Sequence, residues 1–363
     1  MTIDYGARLG ALRRLMDAKS VGALLASVGA DLPYLTGYEA MPLERLTMLV
    51  VTADRPPVLL VPQLEAPRVR PRPGVFELLP WGETEDPVGM VARLLDGVDS
   101  VKVGDQTWAT FVLALQQRLP ATRFDIASPL TRELRMRKDP EELDALRRAA
   151  HATDRVAARL KELRFSGRTE AELSRLVADL TIEEGHQTAT FSIVASGPNG
   201  ASPHHEAGER LIAEGDGVVV DFGGKLDGYC SDTTRTFHVG EPTHEYRRIF
   251  TVLEDAQAAA VDAVRPGFAA QDIDRTARAI ISGAGLGEYF IHRTGHGIGL
   301  EAHEHPYIVE GNGFEVEAGM TFSIEPGIYL PGRFGMRIED IVAVTEDGVE
   351  RLNRSPRGLA VVD

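Results

Sequence analysis

Hydrophobic positions along this chain switch between two periods, and the switches mark its elements. Apolar residues three and four apart predict a helix from Tyr5 to Lys19. Short apolar runs at VGALLASV, ERLTMLVVTAD and PPVLLVPQLEA predict strands. PVGMVARLLDG and TWATFVLALQQRL have helical spacing, and SVKVGD and TRFDIASPL are strand-like. The alternation describes an α/β layer domain with a mixed sheet. From Ser128 to Leu163 Leu, Ala and Val recur at helical spacing, with Pro140 suited to a first turn and Asp139 to its N-cap. TEAELSRLVADLTIEEG predicts a further helix, capped by Thr169 and stopped at Gly185. No solenoid repeat or low-complexity segment is present. The boundary expected from this pattern separates residues 1–135 from residues 136–363.

The C-terminal part contains two hairpin patterns. VVVDFG, a GKLDG turn and YCSDTTRTFHV would bring Asp221 near Asp232. TFSIEPGIYL, a PGRFG turn and MRIEDIVAVT would bring Glu325 near Glu339. A single buried Asp could be a turn cap or a partner of Arg235. Four such acids together would repel one another and shift their pKa values upward unless a counter-charge is present. With His296, which sits between glycines, they form a ligand set for two hard or borderline divalent metals.

Composition narrows the function. The chain has 363 residues, 43% hydrophobic and 26% charged, as expected of a globular protein of two domains. Its net charge of −15 argues against nucleic acid or an anionic membrane as the main partner. One cysteine, Cys230, excludes an intrachain disulfide. The first residues form an amphipathic helix pattern and not a signal peptide, and no apolar run is long enough for a membrane span. A cytoplasmic protein is expected.

The motifs DFG…SDTTRTF, GHGIGLEAHE, SIEPGIY and RIED resemble the metallopeptidases of the pita-bread fold, which include Xaa-Pro dipeptidases (prolidases), aminopeptidases P and methionine aminopeptidases. The likeness is dense over residues 140–363 and weaker before them, where the element order is similar to the N-terminal domain of creatinases and prolidases. It implies an α/β N-terminal domain followed by an α+β pita-bread catalytic domain of two similar halves. It also implies two divalent metal ions, Mn(II) with Co(II) or Zn(II) as alternatives, and a homodimer. In the family, the residue matching Asp221 chelates one ion, those matching His296 and Glu325 bind the other, and those matching Asp232 and Glu339 bridge them. Cys230 is then read as a small packing residue, because the family site has no thiolate.

The implied activity is hydrolysis of Xaa-Pro bonds by a bridging hydroxide. Glu325 would carry the proton, and His204 and His303 would stabilise the tetrahedral intermediate. His292, Tyr329 and Arg337 are expected at the substrate. The substrate is a small peptide with proline second. A dipeptidase gains from a cation beyond the proline ring, where the substrate carboxylate lies. Arg45 is the expected cation, with Arg337 a second candidate beside a ligand. The alternative is an aminopeptidase P acting on longer peptides. Methionine aminopeptidase fits less well, because this N-terminal domain is not its usual partner, and creatinase does not keep the ligand set. A catalytically dead scaffold would have lost ligands, and a hydrolase of a non-peptide amide is the remaining reading.

Overall fold

The computed structural model describes residues 3–363. Met1 and Thr2, the first residues of the expected N-terminal domain, lie outside them. The chain forms two compact units, one ending at Arg135 and the other spanning Met136–Asp363.

In the first unit, α1 (Tyr5–Ala18) begins where the Asp4 side chain accepts the Ala7 N–H. It is followed by β1 (Ala23–Ala26), α2 (Asp31–Thr36), β2 (Met48–Thr52), β3 (Val58–Pro62), β4 (Glu77–Trp81), α3 (Pro87–Leu94), β5 (Ser100–Val103), α4 (Ala109–Arg118), β6 (Arg123–Ile126) and α5 (Ser128–Arg135). The strands form one mixed sheet in the order β4-β3-β2-β1-β5-β6. Leu25, Met48, Val50, Leu60 and Val101 build its core against Val91 and Leu115 of the helices. Strand β4 and helix α2 carry no clear pattern in sequence. The first is an edge strand with Leu78 exposed, and six residues are too few for a helical period to register. Arg72, in a Pro/Arg run that suggests a solvated loop, instead donates to the Thr36 carbonyl and stacks over Tyr5.

The second unit opens with α6 (Pro140–Leu160) and α7 (Glu170–Glu183). Reciprocal caps start both: Asp139 with Glu142, and Thr169 with Glu172. The helical stretch from Ser128 therefore divides into α5 and α6. Then come β7 (Thr188–Ser196), β8 (Gly217–Leu226), β9 (Tyr229–Cys230), β10 (Thr233–Val239), α8 (His244–Ala263) and α9 (Ala270–Gly283). The pattern-based assignment stops short of α8 and α9, although Ile273, Ala277 and Ile281 recur at helical spacing and are buried. The chain ends with β11 (Gly295–Gly297), β12 (Glu304–Ile308), β13 (Thr321–Ile324), β14 (Gly327–Leu330), β15 (Phe334–Arg337), β16 (Asp340–Val344), β17 (Val349–Arg351) and β18 (Ala360–Val362).

These elements form two similar halves. A long helix and a shorter one precede each sheet: α6 and α7 before β18-β10-β8-β7, and α8 and α9 before β12-β11-β13-β16-β17. The starts of the shorter helices are tied down by matching backbone bonds. Gly167 N–H reaches Ile212 O and Ala171 N–H reaches Gly208 O; Gly267 N–H reaches Val316 O and Gln271 N–H reaches Asn312 O. The first sheet packs on α6 and α7 through Val156, Phe165, Val177, Val220 and Phe237. Phe250, Leu253, Ile273, Phe322 and Val342 do the same in the second half.

The expected Glu325–Glu339 hairpin is present but broken. β13 pairs with β16, whereas β14 and β15 form a separate two-stranded hairpin. Both chains leave the ladder at the same level, so Glu325 and Glu339 sit in the gaps. Their backbone N–H groups bond elsewhere, to Thr294 O and Thr234 O.

Candidate metal centre and active site

The breaks aim the acids into one place. Asp221 lies on β8 opposite Thr234 of β10. Asp232 stands in the short interruption between β9 and β10, not within a continuous returning strand. Arg235 does not pair with Asp232. It bonds Asp340 Oδ1 at 2.7 Å and the Glu339 carbonyl at 2.6 Å, fastening β10 to β16. Thr234 Oγ1 donates to Glu339 Oε2 at 2.8 Å. The seam between the halves thus holds all four acids together.

His296 meets them from β11, on a chain that passes close to its neighbours. A Cβ on Gly295 would stand 1.9 Å from the Ser323 carbonyl oxygen, and one on Gly297 would stand 2.2 Å from that of His305, so only glycine fits at either side. His296 Nδ1 faces the Gly297 carbonyl at 3.2 Å, and Nε2 lies 3.3 Å from Glu325 Oε1 and 3.7 Å from Asp232 Oδ2. A proton on Nδ1 leaves the Nε2 lone pair facing the acids, the tautomer a metal ligand requires. Burial, then His303, pushes the His296 pKa down to about 3, so the ring is neutral.

Three overlapping groups bring one ligand atom per residue within 4.8 Å of one another: Asp221, Asp232 and Glu339; His296, Glu325 and Glu339; and Asp232, His296 and His303. Asp221 Oδ1 and Glu339 Oε1 are buried without a hydrogen-bond partner. Burial and the neighbouring acids hold Asp232 and Glu339 well above the ordinary carboxylate range. Burial, then Asp221, raises Glu325 to about 7 against the opposing Arg337 and Arg293. Orphaned oxygens and mutually repelling acids fit divalent cations, which would satisfy both. Cys230 is absent from these groups; its thiol faces the Leu300 carbonyl at 3.6 Å in an apolar cluster.

A cavity of about 820 Å³ opens over the acids. His204, from the loop after β7, and His303 line it together with Phe191, Ile193, Ile291 and His292. The His303 ring stands edge-on to His296, with centroids 4.1 Å apart. Desolvation, then Arg293, lowers its pKa, which favours the neutral ring with one N–H to donate. Tyr329 stands behind the wall rather than in it. Its hydroxyl accepts from Arg337 Nη1 at 2.8 Å and meets His292 Nε2 at 2.8 Å. Arg337 lines the cavity but is committed: Nη2 donates to Asp221 Oδ2 at 2.6 Å and Nε to Thr234 Oγ1 at 3.1 Å. Arg45 belongs to the first unit, where it pairs with Glu44 at 2.6 Å and Glu83 at 3.0 Å.

Arg293 is the charged cavity residue that the motifs did not single out. Its guanidinium lies 4.3 Å from the Tyr307 ring centroid. Among the described residues no carboxylate pairs with it. The signal available in sequence was its position three residues before His296, but nothing local distinguishes it from other surface arginines.

Comparison with known proteins places this geometry. Residues 144–346 match the family described as metallopeptidase family M24, and residues 8–137 match the creatinase/prolidase N-terminal domain. A protein named probable dipeptidase PepE from Mycobacterium tuberculosis is 44% identical, over 99% of this chain and 96% of that one. An Xaa-Pro dipeptidase from Lactobacillus helveticus is 36% identical, over 91% of this chain and 92% of that one. The crystal structure of a prolidase from Thermococcus sibiricus superposes with a TM-score of 0.95 at 37% identity, covering 100% of both chains.

Proposed function

Because this chain belongs to metallopeptidase family M24, a family of dinuclear metal enzymes, we propose that it hydrolyses the Xaa-Pro bond of dipeptides. The supporting observation is Arg293: a cation on the cavity wall with no carboxylate partner, beside the candidate centre. A dipeptide ends in a carboxylate directly on the proline, and a guanidinium can grip it with two parallel hydrogen bonds. Arg337 is a weaker candidate because Asp221, Thr234 and Tyr329 already occupy it. Arg45 is the second cation to test. The relatives named above as dipeptidases support the same reading.

Asp221, Asp232, His296, Glu325 and Glu339 would hold two divalent ions. The carboxylate-rich set suits Mn(II), with Co(II) and Zn(II) as alternatives. Bound there, the ions would lower the pKa of a water nucleophile and polarise the scissile carbonyl. Glu325 would take the water's proton and deliver it to the proline nitrogen. His204 and His303 would donate to the carbonyl oxygen as negative charge develops on it. His292, held by Tyr329, shapes the wall. Among the described residues no helix is long and apolar enough to cross a membrane; a cytoplasmic homodimer completes the proposal.

The test is a substrate series of Xaa-Pro, its C-terminal amide, Xaa-Pro-Xaa and a longer peptide, each assayed with Mn(II), Co(II) and Zn(II). The dipeptide should have the highest kcat/KM. Faster cleavage of the longer peptides would make the protein an aminopeptidase P. No hydrolysis with any metal would sink both.

A further inference from the structure

The stretch Ile291–Arg293 supplies three consecutive residues of the cavity wall. It lies outside any regular strand, yet it must hold Arg293 in register with a small substrate. What fixes it is an ion pair on α9. Asp274 is fully buried, and its Oδ1 accepts both the N–H of Thr294 at 3.0 Å and its hydroxyl at 2.7 Å. Arg278, one turn along the helix, grips the same carboxylate from Nε at 2.9 Å and Nη2 at 3.0 Å. The remaining guanidinium hydrogens reach outward: Nη1 donates to the Phe290 carbonyl and Nη2 to the His292 carbonyl, both at 2.9 Å. The guanidinium also stacks 4.2 Å from the Phe290 ring centroid.

One helix-borne pair therefore clamps this wall segment at both ends. Phe290 and His292 hang from Arg278, and Thr294 hangs from Asp274. The far side of the clamp reaches the acids, since the Thr294 carbonyl accepts the Glu325 N–H at 2.8 Å. Each hydrogen bond to a charged group is stronger than a neutral one, and the Asp274 end of the pair is fully buried.

We propose that Asp274 and Arg278 are positioning residues for substrate specificity: by clamping residues 290–294 they hold Arg293 where it meets the substrate carboxylate. The proposal rests on the carboxylate reading of Arg293. A pair that merely stabilised the fold would affect every substrate alike. A positioning pair raises KM for the dipeptide and spares KM for its C-terminal amide, which offers no carboxylate; any effect passed through Thr294 to Glu325 falls on kcat for both substrates alike.

The experiment compares Asp274→Asn, Arg278→Lys, Arg293→Ala and the Asp274→Asn/Arg293→Ala double variant as metal-loaded enzymes. KM and kcat are measured on Xaa-Pro and on its amide. Asp274→Asn keeps the side chain's shape but loses its charge. Arg278→Lys, at the partly exposed end of the pair, keeps the charge but loses the fork, and carries the test if the buried variant does not fold. Misplacing a binding group should raise KM for the dipeptide about tenfold in Asp274→Asn and in Arg278→Lys, with KM for the amide changed less than about twofold. On top of Arg293→Ala, Asp274→Asn should add less than about twofold. Equal rises in KM on both substrates, no rise on either, or additive effects on KM with Arg293→Ala overturn the positioning role. If Arg293→Ala raises KM no more for the dipeptide than for its amide, the carboxylate reading is overturned, and this inference falls with it.

Discussion

Arg337 donates to Asp221 across 2.6 Å, with both side chains almost out of water. The pair joins β15 to β8 and so spans the seam between the two halves. It also sets the charge of the site. Four carboxylates and two divalent cations would cancel, and Arg337 would leave one positive charge, which suits an anionic nucleophile or a developing oxyanion. Replacing Arg337 with Met should leave Asp221 buried and unpaired. In metal-stripped protein this should cost about 3–5 kcal/mol, read as a shift of the urea midpoint. Metal should restore part of it, because a cation then faces Asp221. An unchanged midpoint in EDTA would show that the pair does not stabilise the fold.

Asp232→Asn tests the centre itself. A neutral amide cannot bridge two cations as a carboxylate does, so metal content should fall below two per subunit. Activity should drop about a thousandfold or more, with the circular dichroism spectrum unchanged. Full activity with two metals retained would remove Asp232 from the centre.

His204→Ala and His303→Ala separate the cavity wall from the ligands. Each should lower kcat by about 10²–10³ while elemental analysis still finds both metals. His303 is the sharper case, because its ring also lies near Asp232 and His296. Loss of metal from that variant alone would make it a ligand.

Arg293→Ala and Arg45→Ala compete for one role. Removing the cation that receives the substrate carboxylate should raise KM for Xaa-Pro by about tenfold to a hundredfold and leave its amide little changed. Arg293→Ala is expected to behave this way. The same selectivity from Arg45→Ala, and none from Arg293→Ala, would move the role to the first unit.

The pH dependence of metal-free protein has a definite sign. Glu325 is raised to about 7, and Asp232 and Glu339 are raised well above their ordinary values. Their folded pKa values exceed the unfolded ones, so the stability they contribute is full at low pH and is lost as pH rises through the folded values. The buried histidines run the other way. His292 and His296 are lowered to about 4 and about 3, so they cost stability only as pH falls below 6.5. Above 6.5 the carboxylates decide. Tm of EDTA-treated protein should fall from pH 6.5 to about pH 8, and added metal should reverse the fall by replacing protons with cations. A flat or rising Tm in EDTA would count against acids crowded at the seam.

Much of this was legible in the chain alone, and what was legible is local. Asp139 and Glu142, and Thr169 and Glu172, announce helix starts because a cap is completed within four residues. Asp221, Asp232, His296, Glu325 and Glu339 stand in short motifs whose glycines and turns are adjacent in sequence. Tertiary structure decided what depends on distant partners. Glu325 and Glu339 leave their ladder because Thr294 and Thr234 take their backbone N–H groups. Arg337 reaches Asp221, 116 residues away, instead of remaining free for substrate. Arg293 and Asp274 gain their importance only when α9 and the segment after it come together across about twenty residues of chain. No local pattern encodes such meetings, because each side chain is ordinary until folding removes the water and supplies its partner.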